Sequence, residues 1–503
     1  MGLTRPDEPQ AAGVVFPEVD GHRSTSAAGR AVLAAASRSV DPDLAAAIEG
    51  ERDWRRGYLA HMRTLVAAEL RNPDAAPQVP RAGLDALHTS FAFVRNGEEI
   101  ALERVLADVP PEELHTARVD GRGERRGLAV PYRGAELAGD GLLRQLDRWV
   151  AAGTVEPSFA EAVRRVAADP ERLDLSGRTV VVLGAGAEMG PLTALTGWGA
   201  TLALADLPRP QLWSRILRTV RAGCGRALVP LRHPVAEDAD DDTLAEAAGV
   251  DLVTGIPELA RWIEGIDGPL VLGNYAYAHG AAHTRVAMAA DALAAHLADR
   301  RADLALAGLL TPTDVYAVPE DVVEDARARL ERTPPARRLV RGLTGGRAFA
   351  PNYEDTIATG AGKRFGIVDC LVTQQGPNYA LAKRLQRWRL RLARDRGIPV
   401  SANVAPATGT RSVTENRLLA AAYAGAPRFD VEVFDPATSN MLMAALLVHD
   451  LTEAGTAGDP ATPLVHPLEL FCEAAAHGGM WRQPFAPRSV LPVAALVGFP
   501  RAR

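Results

Sequence analysis

Lysine is almost absent from this chain, although it has 503 residues and 56 of them are lysine or arginine. Only Lys363 and Lys383 are lysines, and every other residue of this set is arginine. The two side chains differ in geometry and acidity, so a lysine retained in such a background is more often needed as lysine. Both lysines are therefore candidates for chemistry.

Cysteines and long apolar runs are also scarce. Cys224, Cys370 and Cys472 are too few and too scattered for a disulfide framework or a metal cluster, which favours a reducing cytoplasm and predicts no metal site. No run of about 18 apolar residues and no cationic-then-apolar leader occurs, so neither a membrane span nor a signal peptide is predicted. The net charge of −6 is spread over interspersed acids and bases, which argues against nucleic acid or an anionic membrane as a partner. We expect a cytoplasmic protein with a small-molecule substrate, and a homo-oligomer stays open.

The chain divides into regions of different pattern. Residues 1–25 combine proline, glycine and charge without periodicity and predict a mobile tail. Residues 26–170 show mainly helical periodicity and predict a mostly helical N-terminal domain. In 171–503, short apolar runs alternate with amphipathic helices, which predicts a doubly wound parallel sheet, interrupted by an insertion at about 315–365. The predicted fold class is thus α/β, with a Rossmann-type sheet, a helical N-terminal domain and an insertion before the helix that begins near residue 378.

Two local patterns extend this prediction beyond the insertion. The apolar run at 366–373, GIVDCLVT, predicts that the sheet resumes there. The basic stretch 388–396, WRLRLARDR, is interpreted as an exposed helix face or a subunit contact.

The clearest motif begins with the apolar run Thr179–Leu183, which predicts a buried parallel strand. Gly184, Gly186 and Gly190 follow, and glycines after a strand let the backbone turn tightly and approach a pyrophosphate at a helix N-terminus. A second apolar run ends at Asp206, 20 residues after Gly186, where a carboxylate can bind an adenosine ribose. The stretch predicts a nucleotide-cofactor site.

Three more residues of this region are candidate cofactor contacts: Glu188 and Met189 in the glycine loop, and Arg209 beyond the second strand. A carboxylate at Asp206 repels the 2′-phosphate of NADP, whereas Arg209 could accept it. We therefore expect NAD or NADP as the cofactor, with a slight preference for NAD.

Tyr379 and Lys383 lie four residues apart at the start of a predicted helix, so their side chains share one face. An ammonium near a phenol stabilises the phenolate and lowers the tyrosine pKa, which suits proton exchange with an alcohol or carbonyl. The pair is a candidate acid–base centre.

With these motifs, the segment 173–410 resembles the short-chain dehydrogenase/reductase family. Tyr379 and Lys383 match that family's Tyr-x-x-x-Lys, and Asn274 in LVLGNYAYAHG matches its structural asparagine. The resemblance implies Tyr379 as general acid/base, Lys383 as a nicotinamide-ribose ligand that lowers the tyrosine pKa, and Asp206 as the adenosine-ribose ligand. The turn beside the nicotinamide corresponds to APATGT, with Pro406, Thr408 and Thr410.

The chain departs from that family at two places. Glu188 stands at the position of the family's middle glycine, and the glycines can also be read as Gly-x-Gly-x3-Gly. The family's catalytic serine lies about a dozen residues before the tyrosine, where 364–368 has no hydroxyl. Thr373, Gln374 or Gln375 are the candidate replacements.

Two other functions stay open at this point. The strand, glycine loop and Asp206 also resemble the first motif of S-adenosylmethionine-dependent methyltransferases, although Tyr379 and Lys383 then have no role. A non-catalytic dinucleotide-binding protein would fit the missing serine.

Overall fold

A seven-stranded sheet forms from the short apolar runs of the sequence. This computed structural model describes residues 12–360 and 362–501. Numbered in chain order, the strands of the sheet are β1 His115–Asp120, β2 Thr179–Leu183, β3 Thr201–Ala205, β4 Arg226–Leu231, β5 Leu270–Asn274, β6 Leu304–Leu310 and β7 Val400–Val404. Their order is β7-β6-β5-β2-β3-β4-β1, and every neighbouring pair is parallel except β4 with β1. The prediction of an α/β fold around a mostly parallel sheet is confirmed.

Alternate residues of β2 enter two different cores, because successive side chains of a strand point to opposite faces. Val180 and Val182 pack into one core, and Val181 and Leu183 into the other. Helices cover both faces. The first core receives Gly139–Ala152, Pro157–Ala168, Leu192–Gly197, Pro210–Ala222, Asp241–Ala247 and Pro436–Thr452, and the second receives Thr25–Ser37, Pro42–Glu49, Trp54–Arg71, Gln78–Ser90, Ile256–Glu264, Ala281–Arg300 and Gly376–Asp395.

The predicted N-terminal tail, 1–25, is wrong for its described part. Strand Gly13–Val15 pairs with Ala92–Arg95, and the side chains of Val14 and Val15 are fully buried. A short hairpin, Glu18–Val19 with His22–Arg23, follows. Three consecutive apolar residues, Val14 to Phe16, supply the buried surface that the proline and glycine content obscured. Residues 1–11 lie outside the described residues.

The region 26–170 contributes strands and helices that pair with the sheet or pack against it. It supplies the edge strand β1, the strand Glu98–Ala101 beside Ala92–Arg95, and the hairpin Val130–Tyr132 with Ala135–Leu137. Its helices enter both cores. The division of the chain into domains at residue 170 stays a prediction.

The insertion after β6 is longer than the sequence indicated. Arg364–Asp369 pairs antiparallel with Val315–Pro319 and Ile357–Ala358 in a separate small sheet, and helices Glu320–Glu331 and Pro335–Leu343 lie between these strands. The prediction that 366–373 resumes the main sheet is therefore wrong. An apolar run indicates a buried strand but not the partner with which that strand pairs.

Helix Gly376–Asp395 contradicts the prediction of an exposed basic face. Four of its arginines are buried and paired with carboxylates from distant parts of the chain. Asp314 accepts hydrogen bonds from Arg384 at 2.9 Å and Arg387 at 2.8 Å. The other two pairs are Arg389 with Asp291 and Arg391 with Glu69. Burial of these cations is tolerated because each has a buried anionic partner.

The chain after β7 forms helices Arg411–Thr414, Arg417–Gly425 and Pro487–Gly498 besides Pro436–Thr452. Arg417–Gly425 and Pro487–Gly498 pack closely through glycines, since a Cβ on Gly498 would lie 1.9 Å from the Ala421 carbonyl oxygen. The remaining short helical turns are Leu102–Arg104, Val105–Asp108, Pro170–Leu173, Ala426–Phe429, Pro467–Phe471 and Phe499–Arg501. Within 12–360 and 362–501, no helix has the length and apolar character needed to cross a membrane.

Candidate functional site

A cavity of about 1300 Å³ lies at the carboxyl ends of five strands of the main sheet. Its lining includes the residue at or just after the end of each strand: Gly184 for β2, Asp206 for β3, Asn274 for β5, Thr311 for β6 and Ala405 for β7. Ligands of open α/β sheets bind in this position, outside the carboxyl ends of the strands.

Gly184 turns the chain sharply at the end of β2. Its φ is +82°, and a Cβ there would lie 2.7 Å from the Ala276 Cα. At Gly186, a Cβ would lie 2.4 Å from Leu212 Cδ1. Both positions line the cavity, and Gly184 needs glycine because its φ is positive and its neighbours are backbone atoms, whereas at Gly186 the crowding comes from a flexible side chain.

The rest of the glycine loop has mixed outcomes. Glu188 and Met189 line the cavity, and their contact with a cofactor stays a prediction. Gly190 does not line it, and its carbonyl oxygen accepts a hydrogen bond from the Asn440 side chain. Glu188 is held by Arg411, whose guanidinium Nε donates at 2.7 Å and whose backbone N–H donates at 2.9 Å. This contact connects the loop to the segment that follows β7.

Asp206 faces the glycine loop. Its Oδ2 accepts the Gly186 N–H at 2.7 Å, and its Oδ1 accepts the Leu207 N–H at 2.8 Å. Burial raises its pKa, while the two backbone donors oppose that shift. Arg209 is exposed and lines the same cavity, and its contact with a cofactor stays a prediction.

Tyr379 and Lys383 both line the cavity from helix Gly376–Asp395. Lys383 Nζ lies 6.0 Å from the centroid of the Tyr379 ring and donates to the Leu309 carbonyl oxygen at 3.5 Å. Burial raises the Tyr379 pKa well above its ordinary value, and a hydrogen bond with the Thr311 side chain opposes this. The expectation that Lys383 lowers that pKa is not met, because burial dominates. Burial also lowers the Lys383 pKa to about 8.

Two residues that the sequence motifs did not indicate, Thr311 and Thr313, lie in the site. Their hydroxyls form a series of hydrogen bonds that runs from Gln375 to the Tyr379 phenol. Gln375 Nε2 donates to Thr313 Oγ1 at 2.5 Å, and the two threonine hydroxyls are hydrogen-bonded at 2.8 Å. Gln375 lines the cavity itself and is also hydrogen-bonded to Thr313. Thr373 does not reach the site, because it is exposed, bonds to the neighbouring Gln374 and lies outside the cavity lining.

The signal for Thr311 was present in the sequence. The Thr-Pro-Thr of residues 311–313 directly follows the apolar run that became β6, just before the insertion. Thr311 does not lie about a dozen residues before Tyr379, where the family's serine is expected, because the insertion separates β6 from the helix.

His283 packs against Tyr379, with ring centroids 5.5 Å apart and an interplanar angle of 29°. Its Nδ1 accepts the Ala278 N–H at 3.4 Å, so the ring hydrogen is assigned to Nε2. That Nε2 is buried and has no hydrogen-bond partner among the described residues. Burial, with a smaller contribution from Lys383, lowers the His283 pKa to about 3, so the ring is neutral near pH 7.

The remaining predicted cofactor contacts belong to the segments at the ends of β5 and β7, and they also line the cavity. Asn274 Oδ1 accepts the Ala276 N–H at 3.3 Å and so shapes the turn after β5. Beyond β7, the Thr408 hydroxyl donates to the Pro406 carbonyl oxygen at 2.9 Å, and the hydroxyl of Thr410 is 3.0 Å from that of Ser412. No group of three or more His, Cys, Asp or Glu side chains that could hold a metal is found within 12–360 and 362–501.

Comparison with known proteins adds no family assignment at this point. A scan against models of protein families finds no match to this chain, and a search of the curated proteins finds no significant match either. Function therefore has to be argued from the fold and the site.

Proposed function

We propose that this protein is an NAD(P)-dependent oxidoreductase of the short-chain dehydrogenase/reductase type. It would transfer hydride between nicotinamide and a carbonyl or alcohol group of a small organic substrate. The observation that carries the proposal is that one cavity contains the glycine loop, Asp206, Tyr379, Lys383 and Thr311.

The topology supports a Rossmann-type fold. When the six parallel strands are renumbered from β2 as the first, their order across the sheet is 3-2-1-4-5-6. This is the order of doubly wound dinucleotide-binding sheets, in which the cofactor crosses the point where the strand order reverses. In this chain that point lies between β2 and β5, where Gly184 and Asn274 line the cavity.

The residues present fit a dinucleotide. Gly184 and Gly186 leave space for the pyrophosphate, and the Asp206 carboxylate can accept hydrogen bonds from a ribose. The buried Nε2 of His283, which lacks a partner among the described residues, provides a donor for an acceptor atom of the ligand. Bound there, reduced nicotinamide would supply the hydride, and its oxidised form would accept one.

The side chains of the site would then supply the proton that the reduction requires. In carbonyl reduction the hydride adds to the carbonyl carbon, and the phenol O–H of Tyr379 breaks as its proton passes to the substrate oxygen. The raised Tyr379 pKa keeps the phenol protonated near pH 7, and stabilisation of the phenolate during the reaction is then needed for the proton to leave. Thr311 orients the phenol by hydrogen bonding, and the Lys383 ammonium stabilises the phenolate that remains.

The first experiment is titration of the purified protein with NADH and with NADPH, followed by nicotinamide fluorescence, alongside calorimetry with S-adenosylmethionine. Saturable binding of either reduced dinucleotide is expected. Binding of S-adenosylmethionine without dinucleotide binding would favour a methyltransferase and overturn the proposal.

Tyr379→Phe tests the chemistry itself. We expect kcat/KM for aldehyde reduction to fall at least about 100-fold while dinucleotide affinity is kept, because only the transferable proton is lost. Tyr277→Phe is the matched control, since Tyr277 lines the same cavity but is 46% exposed, and its rate should stay near that of the unaltered protein. Full turnover by Tyr379→Phe would exclude this mechanism.

A further inference from the structure

The cavity that contains Tyr379 is also lined by residues of the C-terminal part of the chain. We call the part of the cavity that they line the C-terminal chamber. Helices Arg417–Gly425 and Pro487–Gly498 form two of its walls, and Phe429 and Phe485 belong to one small apolar core beside it. Its lining includes Leu419, Tyr423, Phe429, Phe485, Val490 and Leu491.

The chamber differs from the rest of the cavity in charge. The lining residues between 417 and 494 include no Asp, Glu, Lys or Arg, and their polar side-chain groups are the Tyr423 phenol and the Gln483 amide. The charged lining residues belong to other parts of the cavity, including Glu188, Asp206 and Arg209 near the glycine loop, Lys383 beside Tyr379, and Arg411 and Glu415 in the segment before helix Arg417–Gly425. A charged group in the chamber would lose its hydration without meeting an ionic partner there.

The volume of the cavity indicates how large a substrate it can hold. A drug-sized ligand occupies a pocket of about 300 to 1,000 Å³. The volume here, about 1300 Å³, is larger than this range and leaves room for a substantial substrate beside a dinucleotide. Tyr379 and the chamber residues line the same cavity, and Tyr423 of the chamber is close enough to contribute to the raised pKa of Tyr379. The reacting carbonyl can therefore reach the phenol while the rest of the substrate occupies the chamber.

We propose that the substrate is an uncharged alcohol or carbonyl compound with a large apolar body, such as a long alkyl chain or fused rings, held in the C-terminal chamber. This inference rests on the proposed function for the reaction at Tyr379. The apolar body supplies binding free energy by leaving water, at about a fourfold gain in affinity for each methylene that becomes fully buried.

A matched series of aldehydes tests the proposal on the unaltered protein. With NADH and NADPH, kcat/KM should rise at least tenfold from butanal to octanal. It should fall at least tenfold when octanal bears a carboxylate at its far end. Equal rates for butanal, octanal and the carboxylate would overturn the substrate class while leaving the oxidoreductase proposal intact.

Binding of alcohols, measured without turnover, tests the apolar ligand independently of the oxidoreductase reaction. Calorimetry with octanol and butanol needs no turnover, and octanol should bind at least tenfold more tightly. Tighter octanol binding without any dinucleotide-dependent reduction would keep the apolar ligand and reject the oxidoreductase. Equal, weak binding of both alcohols would reject the apolar ligand.

A pair of variants on one helix places the binding in the chamber. Leu491→Glu puts a charge into the lining and should remove the preference for octanal over butanal. Leu496→Glu adds the same charge on the outer side of that helix, where the residue is 76% exposed and outside the lining, and should behave as the unaltered protein. Thermal unfolding checks that both variants fold. Retention of the octanal preference in a folded Leu491→Glu protein would contradict the assignment to the chamber.

Discussion

At the scale of single residues, Tyr379 is surrounded by neutral groups more than by charges. The Thr311 hydroxyl and the His283 ring contact it, while the Lys383 ammonium is 6.0 Å from its ring centroid. The phenol is therefore stabilised in its protonated form. Among these contacts, the hydroxyl of Thr311 is the one that can orient the proton.

Thr311→Val should reduce kcat/KM for carbonyl reduction about 100-fold, because a donor that supports the developing charge is lost while the side-chain shape is kept. Thr311→Ser restores the hydroxyl and should recover most of the rate. Dinucleotide affinity, measured by fluorescence, should be similar in both variants. If Thr311→Val and Thr311→Ser turn over equally, the hydroxyl has no part in the reaction.

Lys383 should give the reduction reaction a pH limit. Burial disfavours its charged form and lowers its pKa to about 8, so the ammonium is present below that pH and is lost above it. We expect kcat/KM to be level near pH 7 and to fall above about pH 8. His283, whose pKa is lowered to about 3, should add no change between pH 5 and 7. Lys383→Arg keeps its charge, so its lower rate should show no fall near pH 8.

Asp206 should set the choice between the two dinucleotides. Its carboxylate accepts a hydrogen bond from the glycine loop, at the place where the adenosine ribose would bind. Arg209 is an exposed residue of the same cavity lining. Asp206→Asn keeps the size but removes the charge that repels a 2′-phosphate. The ratio of the NADPH to the NADH dissociation constant should fall about tenfold in this variant. An unchanged ratio would remove Asp206 from cofactor selection.

Residues close in sequence were the predictable part of the site. Gly184, Gly186 and Asp206 follow two consecutive strands, and Tyr379 and Lys383 share one helical turn, so spacing alone could group each set. Thr311 could not be found by spacing, because the length of an insertion does not follow from local geometry. Burial of Tyr379 likewise arises from segments that are distant in sequence, and it reversed the expected direction of the tyrosine pKa.

At the scale of elements, helix Gly376–Asp395 is fixed by buried ion pairs. Arg384 and Arg387 share Asp314, which follows directly after the Thr311–Thr313 pair of hydroxyls. The same pairing therefore holds the helix of Tyr379 against the segment of Thr311. The sequence predicted this helix but took its arginines as exposed, since their acidic partners lie about 70 to 320 residues away.

The Arg391–Glu69 pair should show the asymmetry of buried charges. Both side chains are almost fully buried, so Glu69→Gln leaves the Arg391 cation without its partner and should lower the free energy of unfolding by about 3–5 kcal/mol. The double variant Glu69→Leu/Arg391→Met removes both charges and should recover most of this loss. Urea denaturation measures both. A double variant less stable than Glu69→Gln alone would show that the pair is favourable overall.

At the scale of the whole molecule, residues of the N-terminal region and of the sheet share the same two cores. The apolar run of residues 366–373 was assigned to the wrong sheet because its partner strand, Val315–Pro319, could not be recognised from its pattern. In the same way β1 joins the main sheet from outside the predicted nucleotide domain. The parallel sheet was predictable from repeated βα alternation, whereas pairings across long intervals were not.

Shared cores predict cooperative unfolding. Because helices of residues 26–170 pack into both cores of the sheet, scanning calorimetry should show a single transition. Two well-separated transitions would instead support an independent N-terminal domain. Dinucleotide should raise the whole transition temperature, since ligand binding stabilises every part that unfolds together.

The pairing of Glu69 with Arg391 also has a consequence for synthesis. These residues are 322 positions apart, so a growing chain exposes Glu69 of helix Trp54–Arg71 long before its partner Arg391 leaves the ribosome. During that interval the apolar residues of this helix lack the part of the core that helix Gly376–Asp395 supplies, and exposed apolar surface of this kind favours aggregation. The last-made quarter of the protein thus completes a structure that its first hundred residues began.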